Sequence, residues 1–209
     1  MSSNVFRFLQ QENIRLKKEI ESLEKEKAAL FGYLETIKEI QNRILELPAD
    51  NRPLDTLDAL LQQIRQVVGA NDGSISRLDP QTNELVFLLV QGELGGQLTG
   101  FRINSQSGIA GWVVSHREPI IVNTPRQDWR FSQVVDEEFS FFTWSIASVP
   151  ILKEGELLGV VQLLNKHLSD FSEADIALMM VLSHAASLVL EKIDMPNPPA
   201  RTRTGLLFG

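Results

Sequence analysis

The stretch Asn123–Phe142, NTPRQDWRFSQVVDEEFSFF, concentrates side chains that could recognise a ligand. It mixes Trp129, Phe131, Phe139, Phe141 and Phe142 with Arg126, Arg130 and several acids, and Trp144 follows just beyond. Aromatic faces beside guanidinium and amide groups suit a flat heterocycle with an anionic tail. The same rings would equally pin a long loop to a sheet, as satellite clusters under loops do. A second polar set follows at Asn165, Lys166, Ser172 and Asp175. Ser172 with Asp175 three residues on fits a helix N-cap and its third-position acid, and Phe171 with Ile176 fits a hydrophobic staple. Lys166 is placed to pair with Asp175 and fix strand to helix. These residues therefore read either as the start of a helix or as the border of a pocket.

Other chemistries are not written into the chain. It has no cysteine, which excludes disulfides, thiolate metal sites and cysteine nucleophiles. His116, His167 and His184 lie far apart and lack metal-ligand spacing. No nucleophile elbow is present. The glycine-rich QGELGGQLTG of Gln91–Gly100 lacks the lysine and following helix of a phosphate loop and reads as a flexible loop. With no catalytic constellation, the expectation is a protein that binds rather than an enzyme, with no metal. Net charge is −7 and the pI about 5.1, which argues against a nucleic-acid partner. No apolar run approaches the roughly 18 residues of a membrane span, and no signal-peptide segment opens the chain. A cytoplasmic protein that meets neither nucleic acid nor membrane is expected.

The positioning elements can be read in order. Leu9, Leu16, Leu23, Leu30, Ile37 and Ile44 recur every seven residues, with Asn13, Ile20, Lys27 and Leu34 four residues after the first four of them. Charged residues of both signs fill the rest. This predicts a coiled coil over 1–47, ~60 Å of helix, forming a parallel homodimer with a seam shift near Gly32. LPADNRP breaks the helix, leaving 48–53 as linker. A helix from Leu54 to Val68 carries an apolar stripe. Strands are expected at Ser74–Leu78, Leu85–Val90, Phe101–Asn104 and Ile120–Val122. A helix covers Ser107–Ser115, capped by Ser105 or Ser107. Ile146–Leu152 and Leu157–Leu164 are apolar strands around the turn Lys153–Glu156, in which Gly155 supplies a positive φ. The near-continuous LLGVVQLL implies a strand covered on both faces. A last helix spans Glu173–Ile193, and the Pro-rich tail 194–209 is expected to be flexible, with Leu206-Leu207-Phe208 as a rival docking segment.

Asn165-Lys166, a spacer, Phe171 and Asp175 together resemble the signature of GAF domains, regulatory modules of cyclic-nucleotide phosphodiesterases and many bacterial sensors. Gly108–Val122, GIAGWVVSHREPIIV, resembles the helix-then-strand segment of the same family. The resemblance implies an α/β domain of α+β type over 54–193, with a central antiparallel sheet, helices on both faces and a coiled-coil helix ahead of it. It implies a sensor for a non-covalent small molecule, cyclic nucleotides included. That sensor would relay through a coiled-coil dimer to a separate output protein. Trp112, Arg130, Phe131, Trp144, Ser145, Asn165, Lys166 and Asp175 are its expected ligand-facing residues. The family's cyclic-nucleotide members continue with glutamate where this chain has Ile176, which keeps a ligand-free scaffold as the alternative. Without cysteine, neither the covalent bilin of phytochrome-type members nor the thiol catalysis of the family's sulfoxide reductases can occur.

Overall fold

The structure, a computed structural model, describes residues 2–45 and 53–190. The predicted linker and tail lie largely outside the described residues, as do the side chains at the later heptad positions. Helix α1 (Ser2–Leu45) opens the chain. Its heptad leucines Leu9, Leu16 and Leu23 are 57%, 45% and 56% exposed. The helix thus carries an exposed apolar stripe along its first half.

Helix α2 (Pro53–Val68) starts on a proline, whose fixed φ suits the first helical turn. It buries Leu57, Leu60, Leu61, Ile64 and Val68 and stops at Gly69, whose φ of 76° suits a glycine. Six strands follow: β1 (Ala70–Asp79), β2 (Glu84–Gln91), β3 (Arg102–Asn104), β4 (Ile120–Val122), β5 (Ile146–Lys153) and β6 (Glu156–Lys166). They form one sheet in the order β3-β2-β1-β6-β5-β4, antiparallel throughout. Three helices, α3 (Gly95–Leu98), α4 (Gly108–His116) and α5 (Val134–Phe139), lie between the strands in sequence, and α6 (Glu173–Leu190) ends the described chain.

The continuous apolar run of β6 has a two-sided explanation. Val161 and Leu163 join the main core with Ile75, Val149 and Ile151 under α2 and α6. Val160 and Leu164 point the other way, into clusters with Val113 of α4, Phe141 and Ile109. Both faces are thus covered, as the run requires. Gly159 permits the closest backbone approach, since a Cβ there would sit 2.0 Å from the Ser76 carbonyl oxygen. Pro150 is tolerated inside β5 because β4 pairs only up to Ser148. α6 is long and apolar enough to cross a membrane, yet 61% of it is buried inside the fold, the pattern of a core helix.

Two expectations are corrected, and one segment gains detail. β1 starts at Ala70 rather than Ser74, because Ala70 and Asp72 pair with Lys166 and Leu164 of β6. Tertiary pairing overrides the turn-like composition of Asn71-Asp72-Gly73. The glycine-rich segment is not a free loop. Leu94 and Leu98 are buried around α3, and Gly100 donates to the Phe87 carbonyl at 2.8 Å. The stretch 123–142 contains a 3₁₀ turn, Pro125–Gln127, and the short α5.

Candidate functional site

The sheet face away from α2 and α6 carries a cavity of about 310 Å³, at the small end of the range for ligand sites. Its floor is Ser74, Phe87, Ile146, Gln162 and Leu164. Leu94, Leu98 and Phe101, around α3, make one wall. Ser107, Gly108, Ile109 and Ala110, at the start of α4, make a second. Phe131, Ser132, Val134, Val135 and Asp136 make the third, with Phe141 and Thr143 behind them. Most of this surface is apolar.

The charged side chains in the lining are occupied. Asp72 accepts from the Glu93 amide at 2.9 Å and from Asn165 Nδ2 at 3.1 Å. Asp136 accepts from the Thr143 hydroxyl at 2.6 Å, the Thr143 amide at 3.0 Å and Arg126 at 2.8 Å, which ties α5 to the segment leading into β5. Arg102 donates from Nη1 to Asp79 at 2.9 Å, Glu84 at 3.0 Å and Thr82 at 3.2 Å. The guanidinium of Arg102 holds the Asp79 carboxyl below the usual carboxylate range, and Arg102 is raised in turn by that hydrogen bond. Ser107 stands at the N-cap of α4, but its side chain makes no capping bond. Among the described residues no group of histidines and acids could hold a metal ion.

Of the eight residues expected to face a ligand, Phe131 lines this cavity and the other seven are not in its lining. Asn165 is buried at φ 61°. It donates to Asp72 and to the Phe142 carbonyl at 3.0 Å, and accepts from the Trp144 amide at 2.9 Å. It therefore clamps β1, β6 and the chain entering β5, and reaches the cavity only through Asp72. Lys166 Nζ donates to Asp175 Oδ2 at 2.6 Å, their side chains 10% and 1% exposed. The same oxygen accepts from the Ser172 amide and hydroxyl at 2.8 and 2.9 Å. Phe171 and Ile176 are both buried in the main core, as a staple requires. Ser145 accepts from the Lys166 amide at 3.1 Å, and the Trp144 indole donates to the Lys166 carbonyl at 3.2 Å.

Trp112 and Arg130 belong together elsewhere. The guanidinium carbon of Arg130 lies 5.3 Å from the Trp112 ring centroid, and Trp112 stacks on His116 at 4.2 Å. Arg130 is held by Asp128 through bonds of 2.9 and 2.6 Å. These bonds push the Asp128 carboxyl below its ordinary range. Among the other aromatics, Phe139 packs edge-on against Phe101 and Trp129 is 91% exposed. Sequence reasoning passed over Ser74 and Gln162. The available signal was a lone glutamine inside the apolar run of β6.

The GAF domain family profile matches residues 51–191. The chain belongs to the GAF domain family. Among curated proteins, the GAF segment is 38% identical over 74 residues to a Caenorhabditis elegans protein named probable 3′,5′-cyclic phosphodiesterase, covering 35% of this chain and 10% of that protein. It is also 38% identical over 71 residues to a Takifugu rubripes dual 3′,5′-cyclic-AMP and -GMP phosphodiesterase, covering 32% and 8%. The chain thus spans a tenth or less of those relatives. Among solved structures, the GAF domain of a Coxiella burnetii phosphoenolpyruvate-protein phosphotransferase aligns with a TM-score of 0.69 at 20% identity, covering 78% of this chain and 94% of that one. A free methionine-R-sulfoxide reductase from Neisseria meningitidis aligns at 0.62 and 21%, covering 76% and 88%. At such identities these likenesses establish the GAF fold alone.

Proposed function

We propose that this GAF domain is a cytoplasmic regulatory module, not an enzyme. It binds a small molecule in the cavity beneath residues 131–143 and passes occupancy to a homodimer joined through α1 and to a separate output protein. The observation that carries the reading is a cavity of about 310 Å³, largely apolar yet floored by buried polar side chains. A core without a ligand has little reason to keep such a space. Phe131 is the ligand contact kept from the expected set. Asn165, Lys166, Asp175 and Ser145 hold the frame, and Trp112, Arg130 and Trp144 lie outside the cavity lining. Cyclic nucleotides enter as candidates through the likeness to the two phosphodiesterases. The reductase likeness does not carry thiol chemistry here, because the chain has no cysteine.

Native mass spectrometry of the full chain purified from its own host tests this directly. A dimer carrying a stoichiometric extra mass is the expected result. A monomer would remove the α1 relay. A bare dimer, with no small molecule that raises its melting temperature, would favour the second reading. In that reading the domain is a ligand-free scaffold, for which Ile176 in place of the cyclic-nucleotide members' glutamate is the specific support.

A further inference from the structure

The floor of the cavity has a chemical pattern of its own. Ser74 of β1, Gln162 of β6 and Ser148 of β5 are register partners across three adjacent strands. Their neighbours Ile75, Val161, Leu163, Ala147 and Val149 all enter the main core. The strand alternation therefore turns all three polar side chains onto the cavity face. All three are buried, with exposures of 3%, 9% and 0%. The Ser148 hydroxyl has no hydrogen-bond partner among the described residues. The Ser74 hydroxyl and the Gln162 carboxamide have none among the described residues, and both line the cavity. Buried amides and hydroxyls are nearly always satisfied, so Ser74 and Gln162, the two that line the cavity, are placed to bond what enters it.

The walls say what its charge is. Arg102 is the one basic residue in the lining, and its charge is balanced by Asp79 and Glu84. Asp72 and Asp136 add two carboxylates, the second paired with Arg126. The N-terminus of α4 is the single feature of the wall that favours an anion. A carboxamide offers a donor and an acceptor side by side, the complement of a lactam or a primary amide. We propose that the cavity takes a compact, uncharged, planar ligand. Its lactam or carboxamide edge is read by Gln162 with Ser74, and binding does not depend on a phosphate. This rests on the cavity being the ligand site.

Calorimetric titration of the full chain tests it, with hypoxanthine, guanosine and cyclic GMP as probes and Gln162→Leu and Ser74→Ala as variants. Guanosine and cyclic GMP differ in the cyclic phosphate, so their comparison isolates the anion. The expected result is that a neutral probe binds, that cyclic GMP binds no tighter than guanosine, and that Gln162→Leu weakens the neutral probe about tenfold, the loss of one or two hydrogen bonds. Gln162→Leu should melt no lower than wild type, because it replaces an unpartnered buried amide with an apolar side chain. That readout separates ligand recognition from a structural role, and Ser74→Ala repeats the test at a second site. Cyclic GMP binding much more tightly than guanosine, and indifferent to Gln162→Leu, overturns the inference and leaves the cavity as the ligand site. A melting temperature that falls in Gln162→Leu with neutral affinity unchanged also overturns it. No binding by any probe, on a chain whose native mass carries no small molecule, overturns both.

Discussion

Asp175 shows how one carboxylate can hold several things at once. It caps the start of α6 through Ser172 and neutralises Lys166 from the end of β6, and it is fully buried. Removing it leaves a buried cation without its counter-charge, so Asp175→Ala should cost about 3–5 kcal/mol in urea unfolding. Asn165→Ala should also destabilise, by about 2 kcal/mol or more. It deletes three hydrogen bonds and forces alanine into the left-handed region at φ 61°. The cap and staple at Phe171–Ile176 were legible from spacing alone. The role of Asn165 was not, because its partner Asp72 lies 93 residues away. Acid sensitivity belongs to this scale too. The Asp79 carboxyl is depressed in the fold by Arg102, so its contribution is present above the unfolded value, about 4, and is lost as pH falls through the lower folded one. Stability measured by urea at successive pH values should therefore drop below about pH 4, and Arg102→Gln should flatten part of that slope.

At the scale of elements, the antiparallel sheet and most helices follow from periodicity, because each is built from a local run of the right period. Where the reading failed, tertiary contact decided. Asn71, Asp72 and Gly73 join the start of β1 because β6 lies beside them, and α3 forms because Leu94 and Leu98 need burial. β6 itself offers a strict test. Gly159→Ala should cost 3 kcal/mol or more on the order of a strained or overpacked core, since the new methyl would collide with the Ser76 carbonyl oxygen. α1 offers the opposite case. Leu16→Asn with Leu23→Asn alters side chains about half exposed in the single chain. The double variant should leave the unfolding of the α/β part unchanged while sedimentation shifts from dimer to monomer.

For the whole molecule, the family was readable from two short segments, but the site was not. The cavity is assembled from β1, β2, β3, β5, β6, α3, α4 and the stretch 131–143, and nothing local says which aromatics face inward. Phe131 and Phe141 do, whereas Trp129 and Phe142 do not. A ligand that binds the folded domain must stabilise it in proportion. At 100 times its Kd the gain is about 2.7 kcal/mol, and thermal unfolding with and without ligand should show it in the wild type and much less in Phe131→Ala. The central place of β1 has a further consequence during synthesis. β1 and β2 leave the ribosome early behind α2, the helix on β1's face, yet β6, the neighbour on β1's other edge, and α6, the helix that covers β5, are made after them. A nascent chain stopped before residue 156 holds the unpaired inner edge of β1 together with an uncovered apolar face on β5, the combination that recruits chaperones or aggregates. Truncations just before β6 should therefore be lost to insolubility or degradation, and the order of translation bears on this fold as much as its contacts do.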